Sequence, residues 1–436
     1  MPDAAEAAIE DLLLAGRWAA ALAAAYAWRA GDLRSEPALR RLAAGVFALS
    51  GHDRALAATV DPRLLSGGRI DELAGGARSH DYAASASVSA WSGDGDAAFR
   101  EFGLAHERAL AEGRFAFALG ALERCAHHAF LFGDLPKART AIADAGALAI
   151  ERRSAHWRVR CAAIAARIAA DAGEPDVAAG ILERERADLL APEALALFAP
   201  TGAHLAVAAG DPAALLVWAS QRVLETALHS DVRDAALAAA TAQLIALPNE
   251  GPPYPALAGA LRRALLSAES AAASLELFTL ATRCAGVDEA AFALRALDAV
   301  PAPHRRSVEA HRQLAQAYAG FRFGERESAV DRASDAARAF DSLGLRRWTN
   351  EAMLLLVQRE RSPEPAARRR PTALSLTQRE QQVAHLIRRG AANREIAHAL
   401  QISEHTVERH VSSILSRLGL RSRWQIVDGR QPDAKS

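Results

Sequence analysis

Between Glu404 and Leu418, the side chains of His405, Glu408, Arg409, Ser412 and Ser413 recur at helical spacing opposite Val407, Val411, Ile414, Leu415 and Leu418. An imidazole, a carboxylate, a guanidinium and two hydroxyls on one side of a helix are groups that can hydrogen-bond a base edge or a phosphate. At the exit of this stretch Gly419 stops the helix, and Arg417, Arg421 and Arg423 cluster where guanidinium groups can grip phosphates. The chemistry indicated is recognition of duplex DNA.

The elements that must hold those groups are written in the local sequence. Thr377 followed by Glu380 has the spacing of a capping box, which predicts a helix with Val383, Leu386 and Ile387 on its apolar side. Gly390 predicts its stop, because a residue without Cβ takes the left-handed conformation cheaply. Asn393 is positioned to cap a short second helix carrying Ile396, Ala397 and Leu400, and Ser403 to cap a third. Only Gln401 and Ile402 separate the second helix from the third cap, the tight turn of a helix-turn-helix. In that motif the helix after the turn enters the major groove, N-terminal residues first.

The segment resembles the LuxR-type (LuxR/FixJ) C-terminal domain of bacterial transcription regulators. The resemblance covers about the last sixty residues and is carried by Leu376, Thr377, Arg379, Glu380, Val383, Gly390, Asn393, Glu395, Ile396, Ala397, Leu400, Ser403, Thr406, Val407, His410, Leu418, Gly419, Ser422 and Arg423. It implies a four-helix domain whose third helix reads DNA and whose fourth supplies a dimer contact. Carried over, base reading falls on His405, Glu408, Arg409 and Ser412, with Thr406 and Arg417 nearer the backbone; phosphate anchoring is expected from Thr377, Thr406 and the exit arginines Arg417, Arg421 and Arg423. Glu408 stands where many relatives place a Lys or Arg; a carboxylate there can accept from a cytosine amino group or turn toward a neighbouring arginine. After Trp424, Ile426 and Val427, Gly429 and Pro432 leave room for only a short fourth helix, which shifts the expected dimer contact to the rest of the chain.

Composition predicts a soluble, intracellular, helix-rich protein. Hydrophobic residues make up 51% of the chain and aromatics only 6%, and alanine, a strong helix former, supplies most of the excess. No apolar run approaches the roughly twenty residues needed to span a bilayer, and the first residues, MPDAAEAAIEDLLLAG, are acidic where a secretion signal would be basic. Cys125, Cys161 and Cys284 are an odd, scattered set that reads as free thiols. The formal net charge is zero, yet the ten basic and six acidic residues from Thr372 onward leave that end at +4 and the remainder acidic. A basic end on an acidic body suits a nucleic-acid partner at one end only. The stretch RSPEPAARRRP, residues 361–371, reads as a semi-rigid spacer whose arginines either track phosphates or stay solvated.

Upstream, glycines at Gly16, Gly51, Gly95, Gly133, Gly173, Gly210, Gly251, Gly286 and Gly324 recur 35 to 44 residues apart, most of them ahead of an alanine-led helix, as in LFGDLPKARTAI and RFGERESAV. Ala329, Ala333 and Ala336 have the spacing that lets two helices of a hairpin approach closely. The pattern is similar to tetratricopeptide-type hairpins, with a period somewhat longer than their roughly 34 residues. The last hairpin, around AARAFDSLGLRRW, is similar to the unit before the DNA reader in large LuxR-type regulators related to MalT. The concave side of such an array would be a docking groove for a peptide, protein or small effector, or the array would be purely structural or dimerising.

Other chemistry has little support. The only lysines, Lys137 and Lys435, follow no GxxxxG run, so the ATPase of MalT-like regulators is not expected. No β-branched runs bounded by turns suggest a receiver or lactone-binding domain. His127 and His128 are neighbours that face different sides of a helix, Asp94 and Asp96 read as a polar turn before a helix, and Cys161 reads as a small core residue. His398, His405 and His410 read as parts of the DNA reader rather than metal ligands.

The expected architecture is therefore all-α: a tetratricopeptide-like α-solenoid over residues 1–360, a Pro/Arg-rich linker over 361–371 and a four-helix LuxR-type helix-turn-helix domain over 372–436. The expected function is non-enzymatic, operator-reading transcription regulation controlled by ligand or protein binding or oligomerisation through the repeats, without cofactor or metal. Expected partners are double-stranded DNA, a second copy of the chain, and RNA polymerase or an effector; no membrane is involved. The alternative is a helical scaffold whose C-terminal domain makes protein contacts.

Overall fold

The computed structural model describes residues 2–30, 37–51, 53–60, 76–185, 192–228, 235–246, 275–284, 287–298, 306–323, 325–361, 378–388, 391–400 and 402–418. Every regular element among them is a helix. The chain divides into two compact units, Met1–Arg361 and Ser362–Ser436.

The first unit runs through α1 (Pro2–Leu14), α2 (Trp18–Ala30), α3 (Pro37–Ser50), α4 (Asp53–Ala57), α5 (Ser79–Ser92), α6 (Gly95–Ala111), α7 (Phe115–Phe132), α8 (Leu135–Glu151), α9 (Ala155–Asp171) and α10 (Pro175–Arg184). It continues with α11 (Pro192–Ala209), α12 (Pro212–Trp218), α13 (Gln221–Leu228), α14 (Ala235–Ala246), α15 (Leu275–Cys284), α16 (Val287–Asp298), α17 (Arg306–Phe323), α18 (Arg326–Ser342) and α19 (Arg346–Arg361). Helices adjacent in sequence pack on one another, as α5 on α6, α7 on α8 and α17 on α18 do, which makes the unit a solenoid-like stack of hairpins.

The turns explain the glycine rhythm. Asp94, Asp134 and Asp211 each cap the following helix, accepting from the backbone N–H of Ala97 (2.9 Å), Lys137 (3.0 Å) and Ala214 (2.9 Å). A glycine before the aspartate closes the preceding helix. For this reason the stop before α6 is Gly93, whereas Gly95, expected as a breaker, is the first residue of α6. Gly251, Gly286 and Gly324 lie outside the described residues. Ala329, Ala333 and Ala336 are fully buried, and α17 and α18 approach so closely that a Cβ on Gly320 would lie 2.9 Å from that of Ala329.

An open repeat array would place each hairpin only against its neighbours. Here α17 also packs on α7, α19 on α9 and α1 on α7, so the stack closes on itself. Ser307 donates its hydroxyl to the Phe130 carbonyl (2.8 Å), and Trp157 donates its indole N–H to the Leu13 carbonyl (3.0 Å). The seam needs glycine: Gly133 and Gly173 have φ of +84° and +78°, and a Cβ on them would lie 2.1 Å from Leu343 Cδ2 and 2.8 Å from Arg346 Cβ. Between these helices the stack leaves a cavity.

Trp18, Trp157 and Trp348 are fully buried in this core, with Trp18 set edge-on to Trp157 at 5.8 Å between ring centroids. Burial pushes the Cys161 thiol up to about 12 and that of Cys125 to about 11, which makes both poor nucleophiles. Among the described residues no helix is long and apolar enough to cross a membrane.

The second unit contains α20 (Gln378–Arg388), α21 (Asn393–Leu400) and α22 (Glu404–Leu418). Val383, Ala384, Ile387, Ile396, Ala397, Val407 and Ile414 form its core, flanked by Leu386, Leu400 and Val411. The linker from Ser362 and the expected fourth helix lie outside the described residues.

Candidate nucleic-acid interface

Burial of Val407 and Ile414 fixes the rotation of α22 about its axis. Both side chains face α20 and α21, so His405, Glu408, Arg409 and Ser412 form one exposed stripe on the opposite side. The stripe offers donors from the guanidinium and hydroxyl and an acceptor from the carboxylate. Glu408 lies 3.6 Å from His405 Nδ1, one turn away, and both side chains are largely exposed.

The N-terminus of α22 is capped as the sequence suggests. Ser403 Oγ accepts from the Thr406 N–H (3.1 Å) and lies 2.8 Å from the Thr406 hydroxyl, while its carbonyl accepts from the Val407 N–H (3.1 Å). Thr406 is thus half-buried beside the cap, with its hydroxyl engaged there. This geometry leaves the first turn rigid where the stripe begins.

The cap of α21 differs from expectation. Asn393 is the first helical residue, and Ala392 occupies the cap position, its carbonyl accepting from the Ile396 N–H (3.0 Å). Glu395 reaches back to accept from the Ala392 N–H (2.7 Å), which is the glutamate half of a capping box. At the other end of α21 Arg379 donates to the Leu400 carbonyl (2.6 Å), satisfying a group that the helix cannot pair itself. Both devices fix α21 beside the turn, and the second was visible in sequence only as an arginine on α20 with no assigned role.

Ser413 is set apart from the stripe. It sits at the border of the buried sector and donates its hydroxyl to Glu380, a residue that is 4% exposed in α20. Glu380, expected as the partner of Thr377, therefore ties α20 to α22. Thr377, Arg421 and Arg423 lie outside the described residues, as does the side chain of Arg417, whose backbone belongs to the last turn of α22. Gly390 is likewise outside them, and the Ala391 N–H that follows it bonds to the Leu386 carbonyl (3.1 Å).

Three helices with this core, turn and exposed stripe occupy the part of the chain where a family model matches: residues 374–429 match that of the luxR family of bacterial regulatory proteins. The C-terminal unit carries a luxR-family domain. The response regulator protein VraR of Staphylococcus saprophyticus subsp. saprophyticus is 38% identical over 95 residues, which is 22% of this chain and 44% of VraR. The VraR proteins of Staphylococcus aureus and Staphylococcus epidermidis are 48% identical over 52 residues, 12% of this chain and 25% of each relative. The chain thus spans less than half the length of the curated relatives it matches. No solved structure matches it. Among the described residues of α22, the stripe is the face that packing against α20 and α21 leaves exposed.

Proposed function

We propose that the chain is a DNA-binding transcription regulator whose luxR-family domain reads an operator through α22. The observation that carries this reading is the stripe of His405, Glu408, Arg409 and Ser412, presented outward because Val407 and Ile414 are buried in a domain that matches the family. Arg409 would take a guanine edge and Ser412 a base or phosphate, while Glu408 would accept from a cytosine amino group. Thr377, Thr406, Arg417, Arg421 and Arg423 would anchor phosphates. Ser413, engaged with Glu380, would position α22 against α20 rather than touch DNA.

One domain of this size covers on the order of 600–1,000 Å² of protein surface on DNA, too little for tight selective binding. Two copies are therefore required, and the repeat unit would join them. The same unit would carry the control, through an effector or a protein partner, and the chain would act without catalysing a reaction. The likeness to response regulators supports a regulatory role.

Selection of genomic fragments by the purified full-length protein tests this reading. The expected result is recovery of a shared sequence with two half-sites, bound with an affinity that falls steeply as salt rises. Recovery of fragments with nothing in common, at every ionic strength, would leave the scaffold alternative.

A further inference from the structure

Between the hairpins lies a cavity of about 210 Å³ lined by residues of α7, α9, α11, α14, α15, α17 and α19. One part of its wall is apolar, with Phe130, Ile164, Leu197, Leu237 and Leu275. Another part is charged and internally balanced. Arg160 forks onto Glu123 with bonds of 2.8 and 2.9 Å. Arg347 donates to Asp171 (2.6 Å) and lies 2.8 Å from Glu276, while Arg167 pairs with the same two carboxylates. Among the described residues here, three guanidinium groups, with Arg347 behind the lining, thus meet three carboxylates.

Two histidines beside these pairs are neutral. Burial, reinforced by Arg347 and Arg167, holds His204 well below its ordinary range, and burial is the main cause that lowers His311 to about 3. The Thr279 hydroxyl donates to the Leu275 carbonyl (2.7 Å), so its contact with His311 Nδ1 (3.0 Å) must be received from the ring. That fixes the proton on Nδ1 and leaves the lone pair on Nε2. Trp348, 1% exposed on the same wall, has an indole N–H with no hydrogen-bond partner among the described residues. Among the described residues, the Trp348 N–H and His311 Nε2 are thus a donor and an acceptor beside the cavity with no protein partner assigned to them.

These features define an occupant. A net ion would be buried beside pairs already neutralised, with no counter-charge to offset its desolvation. A wholly apolar guest would leave the Trp348 N–H and His311 Nε2 unsatisfied. By proportion to a 150 Å³ cavity that holds benzene, the space takes roughly eight or nine heavy atoms. We propose that this cavity is the effector site of the repeat unit and takes a small net-neutral molecule with a donor-and-acceptor head on a branched aliphatic body, the chemistry of a zwitterionic aliphatic amino acid or its amide analogue. The proposal rests on the reading that control resides in the repeats. Its occupant would touch Trp348 in α19, the last helix of the unit, from which the chain runs on toward the luxR-family domain.

Calorimetric titration of the full-length protein with four probes sharing a branched aliphatic tail tests the site: L-leucine, 4-methylpentanamide, 4-methylpentanoate and 3-methylbutylamine. Leucine or the amide is expected to bind, with both ions at least about tenfold weaker; which of the two neutral probes is tighter tells whether formal charges in the head matter. Trp348→Phe, which removes only the N–H donor, should weaken the neutral probe by up to about tenfold. Ala238→Leu, which fills the cavity from α14, should abolish binding with helical circular dichroism unchanged. Failure of all four probes, ions binding as tightly as neutral probes, or undiminished binding by folded Ala238→Leu would overturn the proposal. DNA retention measured on the same preparations separates the two readings: retention without probe binding removes the site alone, and loss of retention removes the regulator.

Discussion

Arg347 and Asp171 are 176 residues apart in the chain, and the guanidinium of the first donates to the carboxylate of the second at 2.6 Å. The Asp171 side chain is 1% exposed. Burial by itself would raise this carboxyl, but Arg347 and Arg167 outweigh it and hold Asp171 below the ordinary carboxylate range. The pair is what a closed repeat stack has and an open one lacks.

Arg347→Met should therefore destabilise the protein by about 3 kcal/mol or more, because it leaves Asp171 and Glu276 sharing Arg167 alone. Adding Glu276→Gln should recover part of the loss, since it removes the excess negative charge. Urea denaturation monitored by circular dichroism reads both effects. A folded-state carboxyl held low contributes stability that is present above its unfolded value near 3.8 and lost as pH falls through the folded value. The wild-type protein should lose this contribution below pH 4, and the single variant should show less of that slope.

Glu10 works in the opposite sense. Its carboxylate accepts from the Ala116 N–H in the contact of α1 with α7, and burial is the main cause that raises it from 4.5 to about 7 despite that bond and nearby Arg114. The folded state then keeps a proton that the unfolded chain releases between these values. Stability from this group is full below pH 4.5 and is lost as pH rises toward 7. Glu10→Gln should flatten the pH dependence of the melting temperature in that window and raise stability at pH 8 by roughly 2–3 kcal/mol. Unchanged pH dependence would show that Glu10 is ionised in the folded protein.

The local parts of this architecture were legible in sequence, and the long-range parts were not. Ser403 as a cap and Val407 and Ile414 as the buried side of α22 follow from neighbours a turn apart, so a helical period reveals them. The glycine rhythm announced hairpins because each turn is a local event. It misplaced the stop at Gly95, since Asp94 takes the cap and pushes the left-handed residue back to Gly93. Closure through Arg347 and Asp171, Ser307 and Phe130, or Gly133 and Leu343 joins residues with no shared period, so the cavity could not be foreseen. Within the candidate site, Ser413 lies at the border of the buried sector, where the period alone does not decide which way a hydroxyl turns.

Ser413 and Ser412 are adjacent and should behave differently. Ser413→Ala removes a donor from buried Glu380 and should cost the isolated melting transition of the second unit about 1–2 kcal/mol. Ser412→Ala, on the exposed stripe, should leave that transition within about 0.5 kcal/mol of wild type and weaken operator binding instead. Calorimetry and a DNA titration on the same two variants check the division; equal thermal effects would remove the structural distinction between them.

The account depends most on α22 presenting its exposed stripe to bases. The direct measurement is binding of full-length Arg409→Ala/Ser412→Ala to a selected operator and to unrelated duplex DNA, titrated over a range of salt. The account predicts that operator affinity falls toward the non-specific level, a loss of about 2–4 kcal/mol for the two positions together, while salt-dependent retention on unrelated DNA persists. An operator preference undiminished in the double variant would contradict it.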